Sequence, residues 1–174
     1  QFQRAVLIVA GSAIEALMQG FDGIAVAPSA WWRSTEVMSG TARISAPVQE
    51  SFVPQMINFE LIGGVDFEKG CYTGQEVVAR SQYLGKMKRR AFIAGTDENA
   101  DLSPGTPVTG ADGQQIGEII SVGPGAALAM PHAQLVLFES RIESAGQALV
   151  LGQPLSLLAL PYDIPEPTPF ERPR

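Results

Sequence analysis

The stretch "ADGQQIGEIISVG" (Ala111–Gly123) decides the fold class. Asp112-Gly113 tolerates the positive φ of a type I′ turn, so the run that follows reads as one arm of a hairpin. Around it stand "RRAFIAG", "TPVTG", "AQLVLFES", "ALVLG" and "PLSLLAL", short apolar runs separated by Gly, Pro, Asp and Asn. Six short strands at this close spacing predict a small antiparallel β-barrel over residues 89–163. The remaining residues, 164–174, belong to a proline-rich end that cannot build a core and reads as a tail over the surface or a disordered segment.

Upstream of residue 89 the pattern changes. "RAVLIVA" (Arg4–Ala10) and "GIAVAPS" have strand composition. Between them Ser12 is positioned to cap a helix over Ala13–Gln19, with Glu15 at the third helical position and Gly20 as the stop. "SAWWRSTEVMSG" follows as a helix with Ser29 as cap and Gly40 as terminator. This alternation predicts part of an α+β domain. In Pro47–Val65, Pro54 forces Val53 out of the helical region, which predicts a packed, mostly loop-like stretch with one helical turn.

Composition narrows the class. The 174 residues are 45% hydrophobic and 17% charged, a globular composition allowing one large domain or two small ones. No apolar run reaches the roughly 18 residues needed to span a membrane. Gln1–Ala10 carries no secretory pattern, and the start without methionine reads as that of a partial chain. One cysteine cannot form an internal disulfide, which suits a reducing compartment and a cytoplasmic location. One Cys and one His cannot make a structural zinc site unaided, and no metal site is expected. The net charge of −6 is uneven. Lys69–Arg90 holds six basic residues and one acid, a +5 window, against six basic and seventeen acidic residues elsewhere. That window either faces an anionic ligand or partner or is a solvated basic turn.

Inside it lies "KGCYTGQEVVAR" (Lys69–Arg80), with the single cysteine. Thr73 and Glu76 have capping-box spacing, with Tyr72 and Val77 as hydrophobic staple. They predict a helix from Gly74 to about Tyr83, with Val77, Val78 and Tyr83 on its apolar face. Cys71 falls just before that N-terminus, where unpaired N–H groups carry about +0.5 of an elementary charge. With Lys69 nearby, this favours thiolate over thiol. Gly70 and Gly74 leave the backbone bare for positive φ or a close ligand. The placement of Cys71 suits an exposed, activated thiol or an anion-facing loop; the other reading is a small buried hydrophobe.

"KGCYTGQE" resembles the signature of the YgfZ family, folate-binding relatives of the glycine cleavage T protein. The resemblance is continuous from Phe52 to Phe92. It extends upstream through "WRSTEVMSG" and downstream to "ALPYD", covering roughly residues 1 to 163. Family members are about twice as long, so the chain resembles their C-terminal half, with the missing N-terminal half supplying the rest of a folate cleft. The fold implied is α+β. Residues 1–88 would be the C-terminal part of a ferredoxin-like, aminomethyltransferase-like folate-binding region, followed by the barrel.

The resemblance implies a protein that binds tetrahydrofolate and supports assembly or repair of iron–sulfur enzymes, including the enzyme that thiomethylates tRNA. Trp32 matches the family position that contacts folate, and its ring would stack on the pterin or aminobenzoyl ring. Trp31 beside it could equally be the exposed one. Of the signature residues, Lys69 and Cys71 would carry any chemistry, and Tyr72, Gln75, Glu76 and Arg80 would serve binding. Glu76 also has a structural use in the capping box, so Gln75 is the better candidate for a ligand amide. Arg80 either pairs with Glu76 at the i,i+4 spacing or faces an anion.

An alternative is a folate-dependent aminomethyltransferase of the T-protein type, whose catalytic aspartate would lie in the missing half. The T protein lacks KGCYTGQE at the matching point. Direct nucleic-acid binding is not expected, because the stretch from Arg89 to Leu160 offers only Phe92 and Phe138 as aromatics and is acidic beyond Arg90. His132 is expected to be solvent-exposed and without a role.

Overall fold

The computed structural model describes residues 4–83, 87–97 and 101–165, with backbone only for Gln82 and Tyr83. The tail expected over residues 164–174 therefore lies almost wholly outside the described residues.

Among the described residues three α-helices precede the sheet: α1 (Ile14–Gln19), α2 (Ser29–Met38) and α3 (Gln75–Tyr83). The strands are β1 (Arg89–Thr96), β2 (Pro107–Thr109), β3 (Gln115–Pro124), β4 (Gln134–Arg141), β5 (Leu149–Val150), β6 (Gln153–Pro154) and β7 (Ser156–Leu158). They form one antiparallel sheet in the order β6-β5-β2-β3-β4-β1-β7, nearly closed into a barrel. Each strand run predicted from Arg89 onward is present. "PLSLLAL" divides into β6 and β7 because Leu155 turns inward between them and is buried.

Period-2 alternation explains the two cores. On β4, Val136 and Phe138 point into the barrel while Leu135 and Leu137 point out. On β1, Phe92 and Ala94 point in, Ala91 and Ile93 out. The rings of Phe92 and Phe138 lie 5.9 Å apart inside. Ile119 and Ile120 face opposite sides by ordinary alternation, and the register shift between Ile119 and Ser121 leaves Ile120 as an extra, unpaired residue on the outer face of β3. The outer face is covered by Val37 of α2 and Ile57 of the 3₁₀ turn Pro54–Ile57. Strands covered on both faces read as continuous apolar runs, which is why "QLVLF" shows little alternation. The turn at Pro54 matches the single helical turn predicted there.

Before Arg89 the expectations hold less well. Arg4–Ala10 and "GIAVAPS" form no strand, and Ile8 is 95% exposed. A strand needs a neighbour for its backbone N–H and C=O groups, and no described residue supplies one. The partial ferredoxin-like arrangement is accordingly not seen. Ser12 lies in a 3₁₀ turn (Gly11–Ala13) and does not cap α1. Ser29 is the first residue of α2, and Pro28 precedes it in extended conformation. His132 is not free in solvent: its ring packs on the backbone of Gly95, and its Nδ1 lies 3.1 Å from Asp97 Oδ1.

Tyr162, in the "ALPYD" segment, ties the chain's end to its beginning. Its hydroxyl donates to the Gly40 carbonyl at 2.8 Å and accepts from Asn58 Nδ2 at 3.4 Å. Burial raises the phenol's pKa. The folded state therefore keeps the neutral phenol where the unfolded chain ionises, near pH 10. Stability from this group is intact below about pH 10 and lost as pH rises through the raised folded value. Tyr162→Phe is expected to lower stability by about 0.5–1.5 kcal/mol at neutral pH and to flatten the alkaline decline. Urea midpoints at about pH 8 and about pH 10.5 would show it; parallel declines in both proteins would refute the linkage.

Candidate ligand groove and signature segment

α2 turns one face to the barrel and the other to a groove. Ser34 is fully buried, and its Oγ donates to the Pro124 carbonyl at 2.8 Å. A Cβ on Gly123 would lie 2.6 Å from Ser34 N, so only glycine allows this approach of helix to strand. Beside the contact runs a groove of about 940 Å³ between α2, β3 and the loop at Leu102–Pro104. Trp32, Arg33, Glu36, Arg43 and Val122 are among its walls. Trp32 is half-buried, and its indole Nε1 donates to Glu36 Oε1 at 2.9 Å. Arg4 covers one face of the ring, its guanidinium carbon 5.2 Å from the centroid. Arg43 Nη1 lies 3.9 Å from Glu36 Oε2 and is mostly exposed. Trp31 is exposed and does not line the groove, which separates the two adjacent tryptophans.

The signature segment is a second location. Asp66 Oδ1 accepts from the backbone N–H of Glu68 (2.9 Å) and Lys69 (3.2 Å), folding the approach to the motif. The Lys69 ammonium sits 4.4 Å from the centroid of the Tyr72 ring. Cys71 is a free, exposed thiol, which removes the buried-hydrophobe reading. Gly74 has φ +86°, a left-handed turn that glycine adopts at little cost.

The expected box between Thr73 and Glu76 does not form at the helix start. Gln75, not Glu76, reaches back: its Oε1 accepts from the Tyr72 N–H at 3.1 Å. Thr73 and Glu76 are exposed and make no side-chain hydrogen bond among the described residues. The single contact lies one residue nearer the N-terminus than the expected Glu76–Thr73 contact, and no N-cap side chain returns it. Gln75 thus has the structural use the sequence assigned to Glu76. Of the expected apolar face, Val78 is buried and Val77 is half exposed; the Tyr83 side chain is outside the described residues. Glu76 and Arg80 are both exposed, with no ion pair between them among the described residues.

Lys69, Cys71, Tyr72, Gln75, Glu76 and Arg80 are grouped by their own segment, and none of them lines the Trp32 groove. The +5 window is also weaker than its count. Arg89 is held by Glu139, with Nη2 2.7 Å from Oε2, and Arg90 is ion-paired with Glu60. Lys86 lies outside the described residues. Sequence reading missed Arg33, Glu36 and Arg43 at the groove, since nothing sets Arg33 and Glu36 apart from a solvated helix face or Arg43 from a loop residue in solvent. Phe92 and Phe138 pack in the barrel interior, so neither ring is free to stack on a base. Among the described residues no cluster of His, Cys, Asp and Glu could hold a metal, and no helix is long and apolar enough to cross a membrane.

The sequence is 33% identical over 158 residues to the tRNA-modifying protein YgfZ of Photobacterium profundum, covering 90% of this chain and 41% of that protein. The chain belongs to the YgfZ family. The YgfZ of Aliivibrio fischeri is 29% identical over 167 residues, 95% of this chain and 46% of that protein. That of Colwellia psychrerythraea reaches 49% over 61 residues, 35% of this chain and 19% of that protein. The chain thus spans less than half the length of the curated relatives it matches. No family model matches it.

Proposed function

We propose that this chain is the C-terminal part of a tetrahydrofolate-binding protein of the cytoplasm. It supports assembly or repair of iron–sulfur enzymes and, through them, tRNA modification, thiomethylation in particular. Its partners are then the folate and those enzymes or their assembly proteins. Residues 1–88 contribute to the folate cleft and residues 89–163 form the barrel that carries it.

The observation that carries the reading is the Trp32 groove. Its volume of about 940 Å³ is that of a small-molecule site. An indole borders it, and Arg33 and Arg43 stand along it. A folate matches that chemistry: a flat conjugated ring for the tryptophan, and glutamate carboxylates for guanidinium groups. The relatives' name, tRNA-modifying protein, supports the second half of the reading. It also favours this reading over an aminomethyltransferase.

Trp32→Ala in the full-length polypeptide is expected to weaken tetrahydrofolate binding by about 1–3 kcal/mol, taking base–aromatic stacking as the analogue. Competition against a fluorescent folate would measure it. Unchanged affinity at unchanged stability would remove Trp32, and with it the groove, from the site.

A further inference from the structure

We infer that Gln55 is a positioning residue, the centre of a buried clasp Glu60–Arg90–Gln55–Val78 that sets where α3, and with it the Cys71 segment, sits on the barrel. Gln55 is fully buried in the turn Pro54–Ile57, on which α3 packs. Its Nε2 donates to the Val78 carbonyl inside α3 at 2.7 Å. Its own backbone carbonyl accepts from Arg90 Nη1 at 2.8 Å, and the same guanidinium nitrogen is ion-paired with Glu60. One residue further along β1, the Ala91 carbonyl accepts from Asn58 Nδ2 at 2.8 Å. The turn is thereby bonded twice to β1, and α3 is bonded to the turn.

The chemistry of the cluster argues for orientation over stability. Four of its buried polar atoms have no protein partner: Gln55 Oε1, Asn58 Oδ1, Glu60 Oε2 and Arg90 Nε. Unpaired buried polar atoms are costly, and a well-packed apolar filling of equal volume is often as stable as a buried ion pair or more so. What the polar groups add is direction. A hydrogen bond to one carbonyl is specific in distance and angle, whereas an apolar contact lets a helix slide or roll. α3 has few other means of fixing its place, since Val77 and Arg80 are exposed and only Val78 is buried on its first turns.

The significance of the clasp rests on Cys71 being a working thiol; its mechanical action does not, and the test separates the two. Gln55→Leu removes the donor to Val78 while roughly keeping the volume. Hydrogen exchange would be followed in α3 and in β4, with the rate and pH profile of Cys71 alkylation by iodoacetamide measured alongside. The expected result is α3 exchange faster by about fivefold or more, the loss of one net hydrogen bond, with β4 unchanged. The alkylation profile is expected to change with it. Unchanged α3 exchange and an unchanged thiol profile, with or without a lower unfolding midpoint, would make Gln55 an ordinary core residue and overturn the inference. Should Gln55→Leu fail to fold, Glu60→Gln decides: it keeps the shape, loosens the hold on Arg90, and is expected to raise α3 exchange about twofold or more. No change in that variant would equally overturn the clasp. Loosened α3 in a chain whose Cys71 variants are fully active would keep the clasp and sink the functional reading instead.

Discussion

Replacing Arg90 with methionine is expected to cost about 3–5 kcal/mol of folding stability, a large share of the ~5–15 kcal/mol typical of a domain. Arg90 and Glu60 are ion-paired with side chains only 7% and 6% exposed. Methionine fills much of the arginine's volume, so the loss is mainly electrostatic. It leaves the Glu60 carboxylate buried without a counter-charge and the Gln55 carbonyl without its Arg90 donor. Adding Glu60→Leu is expected to restore most of the loss, since removing both charges also removes the desolvation cost that their attraction offsets. Urea denaturation reads both effects as a shift in midpoint at constant slope. A single variant costing less than about 1 kcal/mol, or a double variant no more stable than the single, would show that the pair is solvated in practice.

The contrast between Arg90 and the barrel shows what a sequence exposes to reading. The strands were legible because their determinants are local: a two-residue period, Asp112-Gly113 at a turn, glycine and proline between runs. The partner of Arg90 is thirty residues away and that of Arg89 fifty, and no local pattern distinguishes an arginine bound for a buried pair from one in solvent. Counting both toward a basic window was correct arithmetic and overstated the charge available to a ligand. The opposite failure occurs at Arg4–Ala10, where β-branched residues announce a strand and no described residue offers a neighbour to pair with. Propensity is a property of the segment, whereas a ladder needs two. At the candidate site, Trp32 came from family resemblance; physics alone gave a helix with two adjacent tryptophans. Gln75 lay between these cases. The capping box assigned to Thr73 and Glu76 does not form, and Gln75 takes the Tyr72 N–H in its place, beside a left-handed Gly74.

On the function proposed above, Cys71→Ser and Cys71→Ala in the full-length polypeptide are expected to abolish support of tRNA thiomethylation in cells to the same degree, with the unfolding midpoint unchanged. The thiol is exposed, so neither substitution opens a cavity, and a serine hydroxyl there meets water instead of lacking a partner. Surface substitutions of this kind fall within about 0.5 kcal/mol. A packing role would rank the variants differently, with serine worse than alanine and the damage appearing as lost stability. A role for the thiol as nucleophile, or as a transient ligand for a cluster in transfer, makes the two alike because both lack sulfur. Folate binding is expected to be unchanged in both, since Cys71 does not line the Trp32 groove. In the folded chain, without denaturant, iodoacetamide is expected to modify Cys71 about as readily as an exposed free cysteine. Mass spectrometry of the modified segment and of the tRNA nucleosides would measure both arms. Full thiomethylation in either variant would remove the thiol from the function. A chain that resists alkylation until unfolded would show that the segment is covered in solution.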